Sequence, residues 1–195
     1  MSAWCAGLGV QEFFALPLDS RIRLAAAEFL GWRYGTGRMV RFPSARPMLP
    51  AKLIREGDGA SFIDCSSFTA YILATAVRGA WTPDRYRELQ VMDVLDPWSP
   101  IAAVVRADAG IQVDPQTIPL GAWALTQAWV DADTRDGDGL SGGHARLVRF
   151  HDRDRMLVLE SSSRDGGIGP RWAEASYRDL QRRYPAGIRF GLLTE

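Results

Sequence analysis

The stretch "HARLVRFHDRDRMLVLES", residues 144–161, decides the fold class that this chain is expected to adopt. Two short apolar runs rich in Val and Leu, residues 144–150 and 155–161, flank the polar segment "HDRDR". Apolar runs of this length on either side of a polar turn are typical of an antiparallel β-hairpin. We therefore predict two strands that pair with each other across this turn.

Two further segments have the same character, "LGAWALTQAWV" at 120–130 and "GIRFGLL" at 187–193. Both are short, apolar and bounded by turn-forming residues, which predicts a third and a fourth strand. The sheet is therefore expected to occupy the second half of the chain.

The first half contains a predicted helix, "RIRLAAAEFL" at 21–30. Ile22, Ala26, Phe29 and Leu30 recur at helical spacing and are expected to form its buried face. Asp19 or Ser20 is the expected N-cap, and Gly31 is the expected stop.

A second helix is predicted in "FIDCSSFTAYILA", residues 62–74, with Asp64 as its cap and Cys65 as its first residue. Phe68, Ile72 and Thr75 follow at helical spacing and predict the buried face. Helices followed by a run of strands predict an α+β fold in which helices pack on a small antiparallel sheet.

The length of 195 residues and the hydrophobic content of 47% fit one domain, 1–195, with a proline-broken helical and loop insertion at about 80–118. Basic and acidic residues balance at 23 each, so net charge predicts no nucleic-acid partner. No apolar run approaches the roughly 20 residues of a membrane span. The N-terminus shows no Sec signal, which predicts a cytoplasmic enzyme or one delivered by a phage particle or specialised secretion.

Cys65 is one of two cysteines, and its position predicts a nucleophile. Backbone N–H groups without helical partners and the positive end of the helix dipole favour a thiolate at the first turn of a helix. Cys65 is expected to be partly exposed there. The alternatives are a small buried hydrophobic residue, since free cysteine packs well, and a disulfide between Cys5 and Cys65.

A cysteine nucleophile needs a base, and the base needs a polar group that orients its ring. His144 opens a strand after two glycines, whereas His151 lies in the polar turn, so His144 is the candidate base. Antiparallel pairing brings Glu160 alongside His144 as the first polar group after the run "MLVL". Cys65, His144 and Glu160 are therefore predicted to form a catalytic triad.

Four segments in order, "GWRYGTG" (31–37), "DCSSF" (64–68), "GGHARLV" (142–148) and "VLESSS" (158–163), resemble the motifs of the NlpC/P60 cysteine peptidases. The related CHAP amidases are similar as well. The resemblance implies a papain-like fold in which Cys65 is the nucleophile, His144 the base and Glu160 the orienting residue. It implies that Tyr34 borders the active site.

The oxyanion and substrate are expected to contact residues around these motifs, namely Tyr34, Ser66, Asp64 and Trp32. The sequence departs from the family at three positions. Ser67 stands where the family usually has Gly, Arg146 enters the "GIY" position after the histidine, and Glu160 is a CHAP-like third residue.

The resemblance implies hydrolysis of an amide bond in peptidoglycan, within the stem peptide or between peptide and sugar, without a metal or cofactor. A peptide or peptidoglycan fragment is the expected substrate. A delivery apparatus and an immunity or inhibitor protein are candidate partners. The alternatives are an acyltransferase or thioesterase on the same fold, and a binding module with a degenerate site.

The acidic loop "DADTRDGDG" at 131–139 invites comparison with a calcium site. An EF-hand loop needs Asp or Asn at its fifth position and Gly at its sixth, but Arg135 and Asp136 stand there. A turn-rich solvated loop is the favoured interpretation, with calcium binding as the alternative.

Overall fold

The structure of the protein, a computed structural model, describes residues 5–34, 55–56, 60–61, 65–73, 76, 114–129, 144–162, 169–185 and 187–193. Contacts divide the chain into two compact units. The first comprises Met1–Pro100, Ser161–Arg171 and Thr194–Glu195, and the second comprises Ile101–Glu160 and Trp172–Leu193. The single domain over 1–195 stays a prediction. None of the described helices is both long and apolar enough to cross a membrane.

The first unit contains the helices α1 (Val10–Phe14), α2 (Leu18–Ala27) and α3 (Cys65–Ile72). The strands β1 (Arg55–Glu56) and β2 (Ala60–Ser61) pair antiparallel with each other. A short 3-10 turn, Cys5–Gly7, precedes α1.

Helix α2 confirms the first predicted helix, but both of its ends differ from the prediction. It begins at Leu18 after Pro17, so neither predicted cap is used, and Asp19 instead pairs with Arg23 one turn later at 2.8 Å. Proline suits a helix start because its ring presets a helical φ and it has no N–H to leave unsatisfied.

The predicted buried face of α2 is confirmed for Ile22, Ala26 and Phe29 and wrong for Leu30. Leu30 is 58% exposed. The regular helix ends at Ala27, so Leu30 lies in the following turn and no longer follows the helical periodicity.

Helix α3 begins at Cys65, as predicted. Phe68 and Ile72 are buried, and the Phe68 ring packs edge-on against Phe29 with 5.5 Å between ring centroids. This aromatic contact packs the cysteine-bearing helix against the segment that follows α2. Asp64, Thr75 and almost all of the predicted 80–118 insertion lie outside the described residues.

The second unit holds β3 (Trp123–Trp129), β4 (His144–Phe150), most of β5 (Arg155–Ser162), most of β6 (Gly169–Ser176), and β7 (Gly187–Leu192). Within the described residues these strands form one five-stranded sheet in the order β6-β5-β4-β3-β7. The β3–β4, β3–β7 and β4–β5 pairs are antiparallel. The predicted α+β class with an antiparallel sheet is therefore confirmed.

All four predicted strands are present. The sequence analysis did not predict α1, β1, β2, β6 or the helix α4 (Tyr177–Arg183). One face of the sheet carries the apolar core of the second unit. Its central members are Val148, Phe150, Val158 and Phe190, and Leu180 of α4 packs into the same cluster.

Candidate functional site

The predicted hydrogen bond between His144 and Glu160 is present in the second unit. His144 is the first residue of β4, and Glu160 lies near the end of β5. Antiparallel pairing of the two strands, with Leu147 opposite Leu159, carries the start of β4 to the end of β5. His144 Nε2 lies 2.8 Å from Glu160 Oε2, and the side chains are 13% and 8% exposed.

The contact assigns a role to each nitrogen of the His144 ring. A carboxylate accepts hydrogen bonds, so Nε2 carries the proton and donates to Glu160. Nδ1 is then the nitrogen that can exchange a proton with a reacting group. The other histidine, His151, is exposed in the β4–β5 turn, where its backbone N–H donates to the Arg155 carbonyl, and this agrees with the prediction of a turn residue.

A second basic side chain, which the sequence did not place in the site, shares the Glu160 carboxylate. Arg146 is 2% exposed, and its Nη1 lies 3.8 Å from Glu160 Oε2. Side chains alternate between the faces of a strand, so Arg146 shares a face of β4 with His144. The two-residue spacing of His144 and Arg146 was the sequence signal that could have placed Arg146 in the site. Tyr184, which receives a hydrogen bond from Arg146, had no local sequence signal.

Cys65 lies in the first unit as the first residue of α3, and it is 1% exposed. The expectation of a partly exposed thiol is therefore wrong. Phe68, Thr69 and Ile72 are buried as well, which places Cys65 on the inward face of the helix, one turn before Phe68. The thiol is not part of a disulfide, so the alternative of a bridge to Cys5 is wrong.

Trp32 and Tyr34 are half-buried in the first unit. The Trp32 ring packs on Phe29 with 5.1 Å between centroids, so this ring contributes to packing. Gly169, at a φ of +89°, lies so close to Trp32 and Arg33 that a side chain there would collide with their backbone. This close approach holds the Tyr34 segment beside the start of β6.

The structure thus brings His144 and Glu160 together in one unit and places Cys65, Trp32 and Tyr34 in the other. Contact of the thiol with the imidazole stays a prediction, as do the roles of Ser66 and Asp64. The acidic loop 131–139 lies outside the described residues, and the part that is described holds no cluster of three or more side chains suited to a metal. No protein-family model, curated protein or solved structure matches this chain.

Proposed function

We propose that this protein is a cysteine hydrolase with a papain-like NlpC/P60 fold that cleaves an amide bond in peptidoglycan. The observation that carries the proposal is the 2.8 Å hydrogen bond from His144 Nε2 to Glu160 Oε2 in a largely buried setting. A base held by a carboxylate is the arrangement that activates a nucleophile in many hydrolases. Cys65, at the first residue of an eight-residue helix, supplies the nucleophile.

In the proposed reaction the Cys65 sulfur attacks the carbonyl carbon of the amide, and the tetrahedral intermediate collapses when the C–N bond breaks. His144 Nδ1 takes the thiol proton and gives it to the departing amine. Water then attacks the thioester, with His144 accepting its proton, and releases the carboxylic acid and the thiol. Glu160 keeps the ring oriented through both halves of the reaction.

The negative charge that develops on the substrate oxygen needs hydrogen-bond donors. Backbone N–H groups in the first turn of α3 lack helical partners and meet the positive end of the helix dipole. These groups, assisted by the Tyr34 hydroxyl, are the proposed oxyanion site. Ser66, Asp64 and Trp32 are the remaining proposed substrate-binding residues.

The substrate class follows from the family resemblance, and two bonds fit it. One is a stem-peptide amide between amino acids, and the other is the amide that joins the peptide to the sugar. Incubation of the full chain with muropeptides of defined structure, followed by mass spectrometry, distinguishes them by the masses of the products.

Matched histidine variants test the catalytic assignment. Cys65→Ala should abolish turnover, and His144→Ala should lower the rate by several orders of magnitude. His151→Ala removes an exposed turn residue and should leave the rate unchanged. Turnover retained in Cys65→Ala, or equal losses in the two histidine variants, would overturn the mechanism.

The same experiment separates the rival functions. A stable acyl group on Cys65 after incubation with an acyl donor, without muropeptide cleavage, would indicate an acyltransferase or thioesterase. Muropeptide binding without cleavage by the wild-type chain would indicate a binding module.

A further inference from the structure

Among the described residues of the second unit, Arg146 is the most buried charged side chain, and its contacts point toward the His144–Glu160 pair. Its Nη2 donates to the Tyr184 hydroxyl oxygen at 2.6 Å. The guanidinium carbon also lies 4.9 Å from the centroid of the Tyr184 ring, within the range of a cation–π contact. Nη1 faces Glu160 Oε2 at 3.8 Å. Arg146 is therefore held between an aromatic ring and the carboxylate that orients the candidate base.

Tyr184 contacts both basic side chains. It follows α4, is 4% exposed and belongs to the apolar core of the second unit. Its ring is nearly parallel to the His144 ring, with a 7° interplanar angle and 6.5 Å between centroids. One rigid aromatic side chain therefore restrains the plane of the imidazole and anchors the guanidinium.

One hydrogen-bond donor of the Arg146 guanidinium, its Nε, lacks an acceptor among the described residues. Thr126 lies opposite Arg146 on β3, yet Arg146 Nε and Thr126 Oγ1 are both buried without a hydrogen-bond partner in the described part of the chain. A buried guanidinium is costly unless an anion and hydrogen-bond acceptors compensate it. The described anion that compensates Arg146 is Glu160, so the two charges depend on each other.

The Glu160 carboxylate faces two basic side chains, His144 and Arg146. Arg146 already places one positive charge beside Glu160 Oε2, and a proton on His144 would place a second positive charge beside the same oxygen. The neighbouring strand contributes no charge, since Ala128 lies opposite His144 and Thr126 lies opposite Arg146. Tyr184 adds a neutral ring.

We propose that Arg146 and Tyr184 are positioning residues that prepare His144 to act as a neutral base. Arg146 holds the Glu160 carboxylate ionised beside Nε2 and, through its own charge, opposes protonation of the imidazole. Tyr184 holds the guanidinium in place and restrains the ring plane. This inference rests on the proposed function for its catalytic meaning, whereas the charge arrangement can be tested without any substrate.

The test is a proton NMR titration of the two histidine rings in the full chain. Arg146→Met removes the charge and keeps an apolar side chain of similar length. Arg149→Met, on the same strand, is the matched control, because Arg149 lies on the other face of β4 from Arg146 and donates to the Gly121 carbonyl. His151, exposed in the turn, is the internal control.

We expect the midpoint of the His144 titration to rise by about one pH unit in Arg146→Met and to stay unchanged in Arg149→Met. Arg146→Lys retains the charge but not the planar fork, so it should restore most of the wild-type midpoint. It also keeps the experiment informative if Arg146→Met does not fold.

An unchanged His144 midpoint in Arg146→Met would overturn the inference. A rise of about one pH unit in a folded Arg146→Lys would overturn it as well, because that variant keeps the charge. With an active enzyme, the acid limb of the pH–rate profile should move to higher pH in Arg146→Met, and Tyr184→Phe should lower kcat more than it raises KM. A shifted midpoint without muropeptide cleavage would refute the proposed function and leave the charge arrangement standing. Cleavage with an unshifted midpoint would refute the inference alone.

Discussion

Replacement of Glu160 by Gln tests the buried polar cluster most directly. The side chain keeps its shape and an acceptor oxygen, but it loses the charge that faces His144 at 2.8 Å and Arg146 at 3.8 Å. The Arg146 guanidinium, 2% exposed, is then left without the carboxylate that compensates it. We therefore expect Glu160→Gln to fold but to be clearly less stable than the wild type.

The size of the stability loss in Glu160→Gln follows from the burial of the cluster and from the distances within it. Removal of one partner of a fully buried ion pair costs about 3 to 5 kcal/mol. The Arg146–Glu160 distance exceeds a hydrogen bond, the glutamate side chain is 8% exposed, and the amide still accepts from His144. A loss of about 2 to 3 kcal/mol in the free energy of unfolding is therefore expected, which lowers Tm by about 4 to 12 °C in a chain of this size.

The assay is urea unfolding followed by tryptophan fluorescence, with Glu174→Gln as the matched control. Glu174 lies exposed on β6, and the same substitution there should change stability by less than about 0.5 kcal/mol. The double variant Arg146→Met/Glu160→Gln should lose less than the sum of the single losses, because neither charge is left alone. Equal stability of Glu160→Gln and Glu174→Gln would refute the charge pairing.

The same variant bears on the proposed reaction. Loss of the carboxylate removes the group that orients the imidazole and stabilises its protonated form during catalysis. We expect a rate loss of about ten- to a thousandfold, smaller than the losses from Cys65→Ala or His144→Ala. An unchanged rate would move the orienting role to another residue, with the buried Ser162 of β5 as the next candidate.

Two further predictions concern the elements around the site. Gly169→Ala should destabilise the fold by about 3 kcal/mol, because the added methyl group collides with the Trp32 backbone at a positive φ. The control Gly31→Ala has a similar φ but open space around the methyl group, so it should cost about 1 kcal/mol. Equal losses of stability in thermal unfolding would contradict the predicted collision. The backbone N–H groups of Arg155 and Asp154 and the Arg155 guanidinium hold the pKa of Asp152 well below its usual range. This contribution is present above the unfolded pKa of about 4 and is lost as the pH falls through the lower folded value, so Asp152→Asn should lose stability at pH 7 and show a flatter decline in acid. An identical pH dependence of unfolding in both proteins would count against it.

The elements predicted correctly are those that local periodicity specifies. The β4–β5 hairpin follows from two apolar runs and a polar turn, and its antiparallel pairing brings Glu160 to His144 over a separation of 16 residues. The start of α3 at Cys65 follows from the helical spacing of Phe68 and Ile72. In each case the residues that predict the element are close together in the sequence.

Two of the missed elements, β6 and α4, have weak local signals in the sequence. The strand β6, "GPRWAEAS", begins with Gly-Pro and lies at the edge of the sheet formed by the described strands. A proline is tolerated at such an edge because an edge strand pairs on one side only. Helix α4 has the N-cap Ser176, whose hydroxyl accepts from the Asp179 N–H, but Leu180 is its single buried residue. Its hydrophobic positions are Tyr177 and Leu180, and two positions in seven residues are too few to establish a helical period.

The sequence by itself determined the hairpin, the helix that begins at Cys65 and the pairing of His144 with Glu160, because each depends on residues close together in the chain or joined by one tight turn. Only the tertiary structure decided the burial of Cys65 and the position of Arg146 between Glu160 and Tyr184. Arg146 and Tyr184 are 38 residues apart, and their contact depends on how α4 packs across the face of the sheet. Local periodicity predicts which face a residue occupies, but the partner that it meets there is set by the packing of elements distant in sequence.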